Sequence, residues 1–442
     1  MCKIFENKTV INIESKKLGL MEKWLRQNSN LTIEQAAKCL NVSKGNLSEI
    51  ENGKRGLKNE IFSEFLGRFY PNFDYDWSLP EEAEIKLDEL FHAFAYWDSS
   101  EEDQIEKWVI KNRNRLLNSF ACMYLIIFET YFSYRKPLDW NDVEVLNSSE
   151  VFLQYFSPDI RSFLLFNKGY MYLENRTGIN PKKSTLVIEI FEAALKEMDG
   201  RRWPQLEGII RQNLAGAASQ DISFQQAVNI IERAESIFIR EFNFLRLAAA
   251  SNNKAVYYSY LGQNEKSIEI IDKLILNKNT FSDQKFYYLA LSNKALFLTL
   301  GGYFDKVVQF IQDHKHEINP KHPRNFILEP YCLLRLGDEK NCLITIKSYQ
   351  NCLLGEDDES FYSLVKAMIS RNFDRVEKAK VKMFTVCNRM KNWGMLLLML
   401  QALAYFYKQT NQNDRLAEVY EWQDMLHKHQ IPEINDLTQL SV

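Results

Sequence analysis

The stretch VSKGNLSEIENGKRG, Val42–Gly56, reads as one short helix with its own start and stop. Ser43 offers a hydroxyl that accepts a hydrogen bond from the first free backbone N–H groups. Asn52-Gly53 supplies the left-handed turn that closes a helix. Between them Leu47 and Ile50 face inward with Val42, while Ser43, Lys44, Asn46, Ser48 and Glu49 are left to face outward. Lys54 and Arg55 follow directly. Upstream, the spacing of Leu20, Met21 and Trp24 predicts a helix over about 20–28. Thr32 with Gln35 three residues on is a capping box. After it Ile33, Ala36, Ala37 and Leu40 line one face of a second helix. Asn41-Val42-Ser43 makes the turn between the two. A further helix from about Lys58 would bury Ile61, Phe62, Phe65, Leu66 and Phe69.

Two short helices joined by a three-residue turn, the second polar on its outer face, form a helix-turn-helix. The second helix of such a unit enters the DNA major groove by its N-terminal end. There Lys44 can donate to guanine acceptors and Asn46 can pair with adenine. Lys54 and Arg55 are placed for phosphates. The same apolar spacing would suit a plain helical bundle, but the polar outer face and the basic pair favour DNA. Charge agrees: residues 1–70 hold 12 Lys+Arg against 8 Asp+Glu, whereas the remainder holds 43 against 50. A basic head on an acidic body suits a polyanion-binding head.

Residues 18–69 resemble the lambda-repressor-like (Cro/C1, XRE) DNA-binding domain. The resemblance is carried by Gly19, Arg26, Leu31-Thr32, Ala37, Val42-Ser43, Ser48, Glu51, Asn52-Gly53-Lys54-Arg55 and the apolar helix that follows. The family often has Gln after the Thr that caps the second helix, where it touches a phosphate. Here Ile33 stands at that place, and Gln35 is the nearby candidate for the contact.

The segment PNFDYDWSLPEE (71–82) interrupts the helical pattern with two prolines and several turn residues. It divides a DNA-binding head, 1–70, from a body, 83–442. In the body apolar residues recur at helical spacing and strand alternation is scarce, so the fold is all-α. RQNLAGAAS (211–219), NNKAVYYSYLG (252–262) and SNKALFLTLGG (292–302) share Asn-x-Ala at a period of 40 residues: Asn213/Ala215, Asn253/Ala255 and Asn293/Ala295. Ala227, Ser267 and Val307 stand 14 residues beyond each Asn, and Gly262 and Gly302 mark turns. FNKGYMYLENRTG (166–178) repeats the front half with Asn167 and Gly169. Small residues at these places let paired helices approach closely.

The pattern resembles degenerate tetratricopeptide repeats, here at 40 residues instead of the family's 34. The resemblance implies a right-handed superhelix of helical hairpins with a concave groove. It also places Asn167, Asn213, Asn253 and Asn293 on the concave side, as a ladder along one wall. An amide side chain both donates and accepts, which suits a peptide backbone buried in a groove. The alternative is that each amide bonds to a neighbouring helix.

A Cro/C1-type head joined to tetratricopeptide-like repeats is similar to the RRNPP regulators of Gram-positive bacteria and their phages. That resemblance implies a cytoplasmic homodimer on a two-fold operator in double-stranded DNA, with a short signalling peptide held in the groove to change DNA binding. A DNA-binding regulator whose body meets a protein or a small molecule is the second reading, and an enzyme or effector is the third. The third lacks motifs: no Gly-rich phosphate loop, G-x-S-x-G or H-E-x-x-H is present. Seven cysteines, three of them (Cys332, Cys342, Cys352) at ten-residue spacing, match neither a disulfide framework nor zinc spacing and suggest core packing. His314, His316 and His322 fall in a proline-flanked loop without a supporting ligand pattern, so neither metal nor cofactor is expected. The longest apolar runs, CMYLIIF and WGMLLLMLQALAYFY, are shorter than the roughly 20 residues of a membrane span. The second run, with Trp422 and Met425, is richer in apolar residues than a terminal repeat can bury alone, so it is expected at a dimer interface.

Overall fold

The computed structural model describes residues 15–74, 78–133, 156–174, 183–221, 223–277, 284–317, 324–348 and 354–428. Among these residues the chain is all-helical, apart from one isolated bridge between Asp74 and Ser119. The helices group into two compact units. One comprises residues 1–179 and 189–206, the other residues 180–188 and 207–442.

The smaller unit opens with α1 (Ser15–Asn28), α2 (Ile33–Cys39), α3 (Lys44–Glu51) and α4 (Asn59–Phe69). Helix α1 begins five residues before the expected Leu20, and Leu18 is buried with it. The capping box forms as expected: Thr32 Oγ1 accepts from the Gln35 N–H at 3.2 Å and Gln35 Oε1 accepts from the Thr32 N–H at 2.8 Å. Ser43 caps α3 by accepting from the Asn46 N–H. Gly53 takes φ 68°, the left-handed conformation that ends the helix. Leu20, Leu25, Leu47, Leu57, Phe65 and Leu66 are fully buried between these helices. Gly19 lets α1 cross the end of α3: a Cβ there would lie 2.6 Å from Ile50 Cγ2 and 2.8 Å from the Ile50 carbonyl oxygen.

Helix α5 (Ser78–Tyr96) begins inside the expected linker. Pro80 sits in its first turn, where a missing N–H leaves no intrahelical bond unmade. Helices α6 (Ser99–Leu117), α7 (Cys122–Ser133), α8 (Pro158–Glu174) and most of α9 (Lys183–Glu197) complete the unit. Gly169 on α8 meets Phe191 of α9 so closely that a Cβ would lie 2.7 Å from the ring.

The larger unit is a run of helical hairpins: α10 (Gln205–Asp221) with α11 (Phe224–Arg240), α12 (Phe244–Tyr260) with α13 (Asn264–Leu276), and α14 (Gln284–Leu300) with α15 (Phe304–Asp313). The 40-residue register is visible in the packing. Ala215, Ala255 and Ala295 on the first helices, and Ala227, Ser267 and Val307 on the second, all have no exposed surface. Gly262 and Gly302 turn the chain with φ 75° and 80°. Further pairs follow: α16 (Arg324–Arg335) with α17 (Glu339–Ser348), α18 (Glu356–Ile369) with α19 (Phe373–Met390), and α20 (Trp393–Gln409) with α21 (Asn413–His427).

The apolar run does exceed what a terminal repeat can bury alone, but other hairpins of the same chain cover α20, which removes the reason for expecting it at a dimer interface. Thirteen of its residues, Trp393 and Tyr407 among them, are buried within the chain. A helix apolar all round needs neighbours on every side, and α20 finds them in non-sequential hairpins. Gly394 packs near Leu296 and Tyr260, Gln401 Nε2 donates to the carbonyls of Thr299 and Leu300, and Tyr405 Oη donates to that of Leu334. On α21 Tyr420 is exposed, and Trp422 and Met425 are half-buried. Cys332 and Cys342 are buried as expected of core residues, while Cys352 and His322 lie outside the described residues. Burial pushes the Cys332 thiol up to about 12, so it stays protonated.

Candidate functional site

The seat of α3 is built around Arg26. Its Nε donates to Glu51 Oε1 at 2.6 Å and its Nη2 to Glu51 Oε2 at 2.8 Å, while Nη1 donates to the Leu31 carbonyl at 2.7 Å. One buried guanidinium therefore joins α1, the last residue of α3 and the turn between α1 and α2. A bidentate fork also fixes direction, so the angle of α3 is set with it. Glu22 is buried against the same pair. Loss of solvent, followed by the charge of Glu51, pushes its carboxyl up to about 8.

The outer face of α3 carries the residues expected to meet DNA. Lys44 is exposed, with Nζ 2.5 Å from Glu34 Oε1. This hydrogen bond and the lysine's charge hold the Glu34 carboxyl below its ordinary value. Asn46 Oδ1 accepts from Arg55 Nη1 at 3.3 Å, and Arg55 Nε lies 2.7 Å from Glu49 Oε2. Ser48 is half-buried and faces Asn52. Lys54 is exposed and pairs with no acid among the described residues. The structure thus brings Asn46, Glu49 and Arg55 together and leaves Lys44 beside α2. Ser43 is committed to its cap, and the carbonyl end of Gln35 to the capping box. Exposed ion pairs of this kind are worth at most about 1 kcal/mol. They can be exchanged for phosphate or base contacts at little cost.

Three expected asparagines occupy the middle of α10, α12 and α14, and they differ in state. Asn213 donates to the carbonyl of Ile209 on its own helix at 2.9 Å. Asn293 is buried and donates to Asn252 Oδ1 at 2.9 Å. Asn253 is half-buried. Asn167 belongs to the other unit, is fully buried, and neither of its amide atoms has a partner. The direct bond across neighbouring hairpins is therefore Asn293 to Asn252, not to Asn253. The doublet Asn252-Asn253 was the visible sign of it, since two adjacent amides can serve two different neighbours.

These features define a class: an XRE-type helix-turn-helix DNA-binding domain followed by tetratricopeptide-like helical hairpins. The helix-turn-helix family matches residues 23–66. Comparison with curated protein sequences finds no match. Among solved structures the fold is similar to the apo form of the quorum sensor NprR from B. thuringiensis. That likeness covers 79% of this chain and 99% of that one at 15% identity, with a TM-score of 0.58. It is also similar to a Rap protein complexed with Competence and Sporulation Factor, over 79% of this chain and 98% of that one at 12% identity, with a TM-score of 0.53.

Proposed function

We propose that this protein is a DNA-binding transcriptional regulator whose helical hairpins bind a short signalling peptide, which in turn changes DNA binding. One observation carries the reading: a helix-turn-helix head is joined to a body with the fold of a quorum sensor. The peptide-class ligand is supported by the Rap neighbour, whose partner in its own structure is Competence and Sporulation Factor. The protein acts as a homodimer on a two-fold operator, because one such head covers only a half-site. No described helix is long and apolar enough to cross a membrane.

In the head, Lys44 and Asn46 read bases while Lys54 and Arg55 hold phosphates. Selection of operators from a random duplex pool, with and without peptide, tests the reading. Lys44→Ala is expected to relax base preference by about 1–3 kcal/mol at one position. Arg55→Ala is expected to weaken all duplexes alike and flatten the salt dependence. Selection of the same sequences by Lys44→Ala and wild type would remove α3 from the recognition role.

In the body, Asn253 is the rung to test, since Asn213 and Asn293 already have intramolecular partners. Asn253→Ala is expected to weaken peptide binding several-fold, with DNA binding by the free protein retained. A protein or small-molecule ligand for the body is the second reading, and those two internal bonds favour it. It takes precedence if calorimetry shows no loss of peptide affinity in Asn213→Ala, Asn253→Ala or Asn293→Ala.

A further inference from the structure

The larger unit holds a half-open cavity of about 580 Å³. Its walls are the turn between α12 and α13, the ends of α14 and α16, and the outer faces of α20 and α21. A volume of this size suits a small molecule or the end of a short peptide. Its charge is one-sided. Arg335 and Lys408 line it beside His427, and among the described residues no aspartate or glutamate does.

Arg335 is the informative residue. Its guanidinium carbon lies 4.2 Å from the centre of the Phe304 ring, 4.7 Å from that of Tyr405 and 5.7 Å from that of Tyr331. Nη1 donates to Tyr331 Oη at 2.7 Å. Among the described residues the side-chain hydrogen bond of Arg335 goes to Tyr331 and no carboxylate lines the cavity beside it or Lys408. A half-buried guanidinium ordinarily has an anionic partner, because partial desolvation of a charge is costly without one. Here aromatic rings hold the plane of the fork in place, and among the described residues its remaining N–H groups have no hydrogen-bond partner. A fork held ready gives up little conformational freedom when it binds.

Two further features point the same way. His427 Nδ1 lies 2.6 Å from the Tyr260 carbonyl oxygen, which fixes the ring at the cavity wall. Gln263 gives α13 no side-chain cap, so the positive end of that helix adjoins the same rim. Gln401, Gln409 and Gln423 add neutral amide groups to the lining.

We propose that this cavity binds a ligand through a carboxylate group, with Arg335 as the planar fork and Lys408 as the second charge. A guanidinium matches the two oxygens of a carboxylate in one plane. The carboxylate belongs either to a free organic acid or to the C-terminus of a short peptide. The inference does not rest on the peptide-responsive reading above.

The test uses the full chain and thermal melting with three probes at millimolar concentration. They are glutarate, a pool of random pentapeptides with free C-termini, and the same pool amidated. Sodium chloride at equal ionic strength is the reference. Glutarate, the free-acid pool or both are expected to raise Tm beyond the salt reference, with the amidated pool inert. A shift from the free-acid pool alone assigns the site to peptide C-termini, and a shift from glutarate assigns it to free acids. Arg335→Gln is expected to reduce the apparent affinity at least tenfold, and Lys408→Gln several-fold. The proposal is overturned by no shift from either acid probe, by equal shifts from both peptide pools with glutarate inert, or by a shift retained in Arg335→Gln. If Arg335→Gln fails to fold, undiminished affinity in the exposed-site variant Lys408→Gln overturns it instead. Peptide-insensitive DNA binding alongside a glutarate shift would fail the regulatory reading only.

Discussion

Helices α3 and α20 both begin at a polar cap, Ser43 in one and Asn392 in the other. Beyond the cap they differ in every respect. Helix α3 is short, buries Leu47, Ile50 and Glu51, and offers the rest of its surface to solvent. Its pose is set by neighbours close in sequence, chiefly Gly19 and Arg26 on α1. Helix α20 buries thirteen residues and touches Tyr260, Leu296 and Leu334, which lie between 71 and about 134 positions upstream of their partners. The contrast separates two uses of a helix. One is a rigid edge that presents polar groups outward, and the other is a filler that joins distant hairpins into one body.

The largest expected effect tests the filler. Leu398 has no exposed surface, so Leu398→Ala should destabilise the larger unit by about 2–5 kcal/mol, lost transfer energy plus a cavity. Urea unfolding followed by tryptophan fluorescence measures it, since Trp393 stands on the same helix. A change under about 0.5 kcal/mol would mean that α20 is not packed as described.

Next comes the seat of α3. Gly19→Ala puts a methyl 2.6 Å from Ile50 Cγ2 and 2.8 Å from a backbone oxygen that cannot easily move. Overpacking of this kind costs about 1–3 kcal/mol. Because it tilts α3, operator affinity should fall together with head stability. Lost affinity with unchanged stability would point instead to a direct DNA contact at α1.

The third test is the pH dependence of the head. The Glu22 carboxyl is raised in the folded state to about 8, from roughly 4.3 in an unfolded chain. The folded head therefore holds a proton that the unfolded chain releases. Its stabilising contribution is complete below the unfolded value and is lost as pH rises through the folded one. Glu22→Gln, which stays neutral, should remove this decline between about pH 5 and 8. Parallel pH–stability curves for variant and wild type would show that Glu22 ionises freely in the fold.

The smallest effect has the opposite sign. A Cβ at Gly45 meets nothing within 4 Å. Gly45→Ala should therefore stabilise the head by up to about 1 kcal/mol. If DNA approaches this face, operator affinity should nonetheless fall, whereas a rise in both would place DNA elsewhere.

Most of the head was legible from residues alone. The capping box at Thr32–Gln35, the Ser43 cap and the Gly53 stop are local hydrogen-bond devices, complete within a few residues. They form where their side chains stand, whatever the rest of the chain does. The repeat register was legible for a related reason. A buried Ala every 40 residues records the same helix–helix approach made repeatedly. Less of the candidate site could be read. The equivalence of Asn213, Asn253 and Asn293 marks a shared position in each hairpin, yet amide partners are chosen across neighbouring helices. Asn293 found Asn252 by a one-residue offset that no period shows.

The role of α20 and the cavity beside it lay furthest from the sequence. WGMLLLMLQALAYFY specifies a helix that must be covered, and a covering from the same chain satisfies that requirement as well as one from a second copy. Arg335 carries no local mark either, since its rings come from Phe304, Tyr331 and Tyr405 on three helices. Caps, turns and spacing are properties of short segments and follow from backbone chemistry. Which apolar face meets which, and where a charge is left without a partner, depends on contacts between segments far apart in the chain, and these exist only once the hairpins have packed.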